Sequence, residues 1–169
     1  MSDTIYKKLR NDLKMSRDEV CDYISNNELG YLAPERLERI ENGKFNILPE
    51  EVILLSEIYK EPALCNHYCS KVCEIGQKYV PEIKTKDLAQ IVLEMLSSLN
   101  SMKKSQERLI EITADGNIDD DEIKDFVFIQ QELERISITV ETLQLWVERM
   151  LADGKINLDK YNEIKGLSD

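Results

Sequence analysis

The chain has 169 residues, 42% of them hydrophobic, and its 22 Lys and Arg face 33 Asp and Glu for a net charge of −11. That apolar content excludes wholesale disorder, and the acidic balance excludes a chain that grips nucleic acid by bulk charge. Six Gly, four Pro and few runs rich in Val, Thr and aromatics point to an all-α protein.

The acidity is spread along the chain. Residues 1–64 hold nine Lys and Arg against thirteen Asp and Glu, and the remainder thirteen against twenty. The opening MSDTIYKKLRNDL has no apolar core flanked by small residues, so it does not read as a signal peptide. No apolar run is long enough to span a membrane, and a cytoplasmic location is expected. Four cysteines in such a chain are more often free thiols or metal ligands than disulfides.

In chain order, residues 3–14 read as a short amphipathic helix with Ile5, Leu9 and Leu13 at i, i+4, i+8. Ser16-Arg17-Asp18-Glu19 is a capping box opening a second helix that buries Val20, Cys21 and Ile24. SNNELG is a polar turn. Pro34 suits the first turn of a third helix ending near Glu41, with Gly43 as its left-handed cap. Pro49 starts a fourth helix burying Val52, Leu55 and Ile58, and Pro62 a fifth.

Pro81 lies in an expected linker, and beyond it the pattern changes. Residues 86–113 form one long helix with Leu88, Met95, Met102 and Leu109 seven apart and Val92 and Leu99 in the same stripe. The next helix carries four heptads of apolar positions: Phe126, Ile129, Leu133, Ile136, Val140, Leu143, Val147 and Met150. Two long helices with a short loop predict an antiparallel hairpin, and one this apolar needs a further partner. A short last helix is expected near 157–165.

DGNIDDDE, from Asp115, superficially suggests a calcium loop. The sixth and twelfth positions hold Asp120 and Phe126 where Gly and Glu are needed, so the match fails. A helix closed by a left-handed glycine, followed by a cap from Asp119 and Glu122, explains the run better.

The segment from about Leu9 to Leu64 resembles the lambda-repressor-like (Cro/C1-type) helix-turn-helix family. The carrying pieces are LRNDLKMSRDEV, RLERIENGK and LPEEVILLSEIY. The whole chain is also similar to a group of small bacterial regulators with a Cys-rich segment after this domain and a long helical hairpin. The first resemblance implies a structural pair between Arg10 and Glu41, a second helix across the DNA backbone and a third in the major groove. SNNELGYLAP is longer than the family's tight turn, and the third helix opens Ala33-Pro34-Glu35-Arg36, with no Gln or Asn to pair with adenine.

On this reading Arg36 and Arg39 make base-edge contacts, Glu35 can accept from a cytosine amino group, and Arg17 and Lys44 contact phosphate. Lys7, Lys8 and Lys14 are further basic groups within reach. Four engaged phosphates would give a log-salt slope near −4, at about 0.9 per phosphate.

CNHYCSKVC places Cys65, His67, Cys69 and Cys73 within nine residues. These are zinc or iron–sulfur ligand types. On a continuous helix the three cysteines share one stripe and His67 points elsewhere, so buried packing, a metal site and a redox thiol set all stay open. His67 is the only histidine, and no glycine-rich phosphate loop appears, so the sequence points away from an enzyme.

The expectation is an all-α protein: a five-helix lambda-repressor-like helix-turn-helix domain at 1–75, a linker at 76–85 and a long antiparallel helical hairpin at 86–169. Its expected function is that of a bacterial transcriptional regulator binding duplex DNA as a homodimer, with no resident cofactor and no membrane. The alternative is a helix-turn-helix domain used as an adaptor for a protein partner.

Overall fold

A computed structural model describes residues 3–112, 114 and 116–166. Asp115, where the calcium-type pattern starts, and Thr113, the expected end of the long helix, lie outside the described residues. Those described form an all-helical protein with no strand. No helix among them is long and apolar enough to cross a membrane. The chain forms two units: one runs through Glu82 and resumes at Glu148, the other is Ile83–Val147.

The first unit opens with α1 (Ile5–Asp12), α2 (Arg17–Asn26) and α3 (Pro34–Glu41). The Thr4 hydroxyl caps α1 by accepting from the Lys7 amide, and donates to the Glu41 carbonyl at 2.9 Å, tying the start of α1 to the end of α3. Leu13 is not a core position; it follows α1 exposed, and Tyr6 and Arg10 are the buried residues of that helix. The Ser16 hydroxyl accepts from the Glu19 amide at 3.1 Å while Glu19 accepts from the Ser16 amide at 2.7 Å, the reciprocal capping box.

α3 closes with the Gly43 amide donating to Ile40 and the Lys44 amide to Arg39. That pairing needs a left-handed residue, and Gly43 supplies it at φ 65°. α4 (Pro49–Ile58) and α5 (Ala63–Lys71) complete the small core of Val20, Ile24, Leu37, Ile40, Val52, Leu55 and Leu64, all essentially without solvent contact. Each such aliphatic side chain contributes about 1.5–3 kcal/mol by leaving water.

The expected linker at 76–85 begins inside a helix, α6 (Glu74–Tyr79). The Cys73 thiol caps it by accepting from the Gly76 amide at 3.4 Å. Gly76 is buried, and its missing side chain lets the backbone lie against the Cys69 carbonyl. The unit also takes in the residues from Glu148 on, including α9 (Leu158–Gly166), which Asn157 caps through the Lys160 amide.

The second unit holds α7 (Leu88–Ile112) and most of α8 (Ile123–Ala152). Asp87 caps α7 through the Gln90 amide, and Glu122 accepts from the Asp119 amide ahead of α8. Arg108 near the end of α7 meets Asp125 near the start of α8 at 2.7 Å, as an antiparallel pair requires.

Burial along α7 and α8 follows the heptads only in part: Ile129 is buried as expected. The buried residues are Ile91, Ser98 and Ile112 on α7 and Ile129, Glu132, Thr139 and Thr142 on α8. Leu88, Val92, Leu99, Leu133 and Val140, expected inside, are 41–50% exposed. Small hydroxylated residues tolerate burial here because they bond their own helix: Thr139 donates to the Arg135 carbonyl at 2.8 Å and Thr142 to that of Ile138 at 2.6 Å.

Candidate nucleic-acid interface

The geometry around α3 starts from one buried carboxylate. Glu41, 1% exposed, accepts from Arg10 Nε and Nη2 and from Arg17 Nε at 2.8 Å. Arg10 Nη1 also donates to the Met15 carbonyl at 2.8 Å. The Arg10–Glu41 pair that the resemblance implies therefore exists, and it has a third member. Burial pushes the Glu41 carboxyl up, but the two guanidiniums outweigh it and hold it below the usual carboxylate range. One charge thus fixes α1, the start of α2 and the end of α3.

Arg17 is consequently not the free phosphate contact it reads as in the sequence. Its Nε is held by Glu41, and its side chain is 31% exposed. Arg36 is engaged more fully. Its Nε and Nη2 donate to both oxygens of Glu51 at 2.8 and 2.9 Å, and Nη2 also reaches the Asn46 carbonyl at 3.0 Å. Glu51 in turn accepts from the Leu48 amide at 2.8 Å, capping α4. Burial raises the Glu51 carboxyl, and Arg36 and the Leu48 amide together lower it further than burial raises it. Arg36 is thus a brace between α3 and α4; the fork that would read a guanine edge is already occupied.

Glu35, Arg39 and Lys44 remain exposed, with Glu38 beside them. Phe45, which sequence reasoning passed over, is 53% exposed and lies 5.5 Å from the guanidinium carbons of both Arg36 and Arg39. Tyr31, just ahead of α3, is 80% exposed. The only sequence signal for either is an aromatic in a polar connection. The connection itself, residues 27–33, is anchored by buried Leu32 and carries Glu28 at φ 56°.

The cysteine segment does not assemble into a metal centre. Cys65 and Cys69 lie on α5, but the helix ends at Lys71 and Cys73 caps α6. Among the described residues no three His, Cys, Asp or Glu groups are placed to hold a metal ion, so Cys65, His67, Cys69 and Cys73 are not brought together as ligands. All four cysteines are free. Cys65 Sγ lies 3.5 Å from the Ser56 hydroxyl. Burial pushes the Cys69 thiol up, with Cys73 and Cys65 adding to it, and burial raises Cys21 to about 11. Thiols shifted this way are poor nucleophiles. The chain matches no protein-family model, no curated protein and no solved structure.

Proposed function

We propose that the chain is a transcriptional regulator that docks its first unit on duplex DNA with α3 toward the major groove. The observation that supports this is the three-membered clamp on Glu41, which holds α1, α2 and α3 rigidly while leaving the outer face of α3 open. Arg39 is the base-reading cation, Glu35 a cytosine acceptor, and Lys44 a phosphate contact. Arg36 positions Arg39 through Phe45 and touches no base. As a homodimer the protein would read two half-sites about one helical turn apart. With exposed Lys8, Lys14 and Lys44 as the phosphate set, the log-salt slope is expected near roughly −3.

The test is selection from fragmented genomic DNA at moderate salt with competitor. A short, partly palindromic sequence should be enriched, and Arg39→Ala should weaken binding to it roughly tenfold or more. Folded protein that enriches nothing rejects the reading.

A specific observation favours a second reading. With Arg36 neutralised by Glu51, the exposed charges along α3 are Glu35 and Glu38 against Arg39, beside exposed Tyr31 and Phe45. That composition suits a protein partner better than phosphate. The same selection, returning nothing, would turn the assignment to an adaptor.

A further inference from the structure

The second unit carries a groove on one side and a run of half-exposed apolar side chains on the other. Glu94, Ser97 and Ser98 of α7, Arg135, Ile138 and Thr139 of α8, and Lys86 line a groove of about 330 Å³ along one side of the α7–α8 pair. At 3.6 residues per turn, the opposite side of the pair carries Leu88, Val92 and Leu99 from α7 and Leu133, Ile136 and Val140 from α8. All of these but Ile136 are 41–50% exposed. They repeat at seven-residue spacing, Val92 to Leu99 and Leu133 to Val140, which is the pattern of a helix seam that has a partner.

We infer that this face is where a second copy of the chain docks, closing two hairpins into a four-helix bundle. Three observations choose a second copy over another partner. Glu94, Glu134 and Arg135, the charged residues within these stretches, fall off the face at 3.6 residues per turn, so two chains of net charge −11 meet there without like charges opposed, and no charge recruits a different, basic partner. A two-fold contact needs one patch that complements itself, and two antiparallel apolar stripes do so when a copy is turned over onto them. The size also fits. The six apolar side chains of the face, five of them half-exposed, release roughly 400 Å² per copy. Apolar atoms make up about two-thirds of a homodimer interface, so this corresponds to roughly 600 Å² per copy, at the lower end of the range for stable complexes. The buried Ser and Thr seam then holds each hairpin together while its apolar side holds the pair, and the groove, which opens onto that seam at Ser98 and Thr139, faces away from the second copy.

The inference uses the second unit alone and does not depend on DNA binding. Its test is sedimentation equilibrium of the full chain. The wild type should be a dimer at ~10 µM. Leu133→Glu combined with Val140→Glu should weaken the dimer roughly 100-fold or more with helicity unchanged, because both positions are exposed in one copy. Leu99→Glu, on the other helix, should act in the same direction and covers the case in which the double variant loses helicity. Leu93→Glu, exposed but off this face, should leave the dimer intact. A wild type that stays monomeric to ~100 µM overturns the inference. So does a dimer that survives both the double variant and Leu99→Glu.

Discussion

Arg36 and Glu51, fifteen residues apart, are joined by two parallel hydrogen bonds of 2.8 and 2.9 Å, and Glu51 caps α4 through the Leu48 amide at the same time. The pair is mostly buried, with side chains 26% and 10% exposed. A bidentate pair that also satisfies a helix N-terminus contributes more than a surface ion pair. Arg36→Ala and Glu51→Ala should each lower stability by about 1–2 kcal/mol in urea denaturation. The double variant should fall short of their sum by about 1 kcal/mol. Full additivity would show that the two residues act separately, and Arg36 would return to the set of candidate DNA contacts.

Glu41 gives the chain a defined acid sensitivity. Its folded carboxyl lies below its unfolded value of about 4.3, so it contributes stability above that pH and loses it as pH falls through the folded value. Glu51 is shifted in the same direction. Thermal stability should therefore be flat from neutral pH to about 5 and decline steeply below about 4.3. Glu41→Gln leaves Arg10 and Arg17 without their shared charge and should cost about 3–5 kcal/mol at pH 7. Its deficit relative to wild type should shrink toward pH 3, and a deficit that stays constant with pH would sever the stability from the carboxylate charge.

The helices of the first unit are legible because their signals are local. Ser16 with Glu19, Pro34, Pro49 and Gly43 each act within a few residues, and the ends they predict are the ends observed. Apart from Arg10–Glu41, which the resemblance implies, the ion-pair partners were not legible. Nothing local distinguishes Arg36, which finds Glu51, from Arg39, which stays exposed three residues later. The heptad stripe of α7 and α8 was read only in part, for a related reason: Ile129 is buried as it predicts, but other positions are not. Heptad counting locates apolar stripes but not the surface each stripe faces, and here Ser98, Thr139 and Thr142 take the inside while Leu133 and Val140 lie outside. The cysteine stripe failed because it assumed a continuous helix, whereas α5 stops at Lys71 so that Gly76 can fold back onto Cys69.

Among the described residues, two tyrosine hydroxyls are buried without a hydrogen-bond partner, those of Tyr6 and Tyr59. Burial pushes both upward, Tyr6 to about 12, with the neighbouring Glu41 charge adding to the effect at Tyr59. An unpartnered buried hydroxyl costs about 1–3 kcal/mol, and Phe keeps the ring while removing it. Tyr59→Phe should therefore raise the urea midpoint, by about 1 kcal/mol in stability. A lower midpoint would mean that ordered water holds the hydroxyl.

Gly76 and Gly43 separate two reasons for a glycine. A Cβ at Gly76 would lie 2.0 Å from the Cys69 carbonyl oxygen and 2.7 Å from its carbon, and backbone cannot step aside as a flexible side chain would. A Cβ at Gly43 meets nothing within 4 Å, but its φ of 65° is one that other residues adopt only with strain. Gly76→Ala must push α6 away from α5, and overpacking of this kind costs about 1–3 kcal/mol or more. Gly43→Ala should cost only about 1 kcal/mol. The two also differ in what they disturb. Separating α5 from α6 removes the cover of Cys69, so in Gly76→Ala that thiol should react faster with a maleimide under native conditions, whereas Gly43→Ala should leave the rate unchanged. Equal thiol rates in the two variants would mean that the α5–α6 contact does not govern access to Cys69.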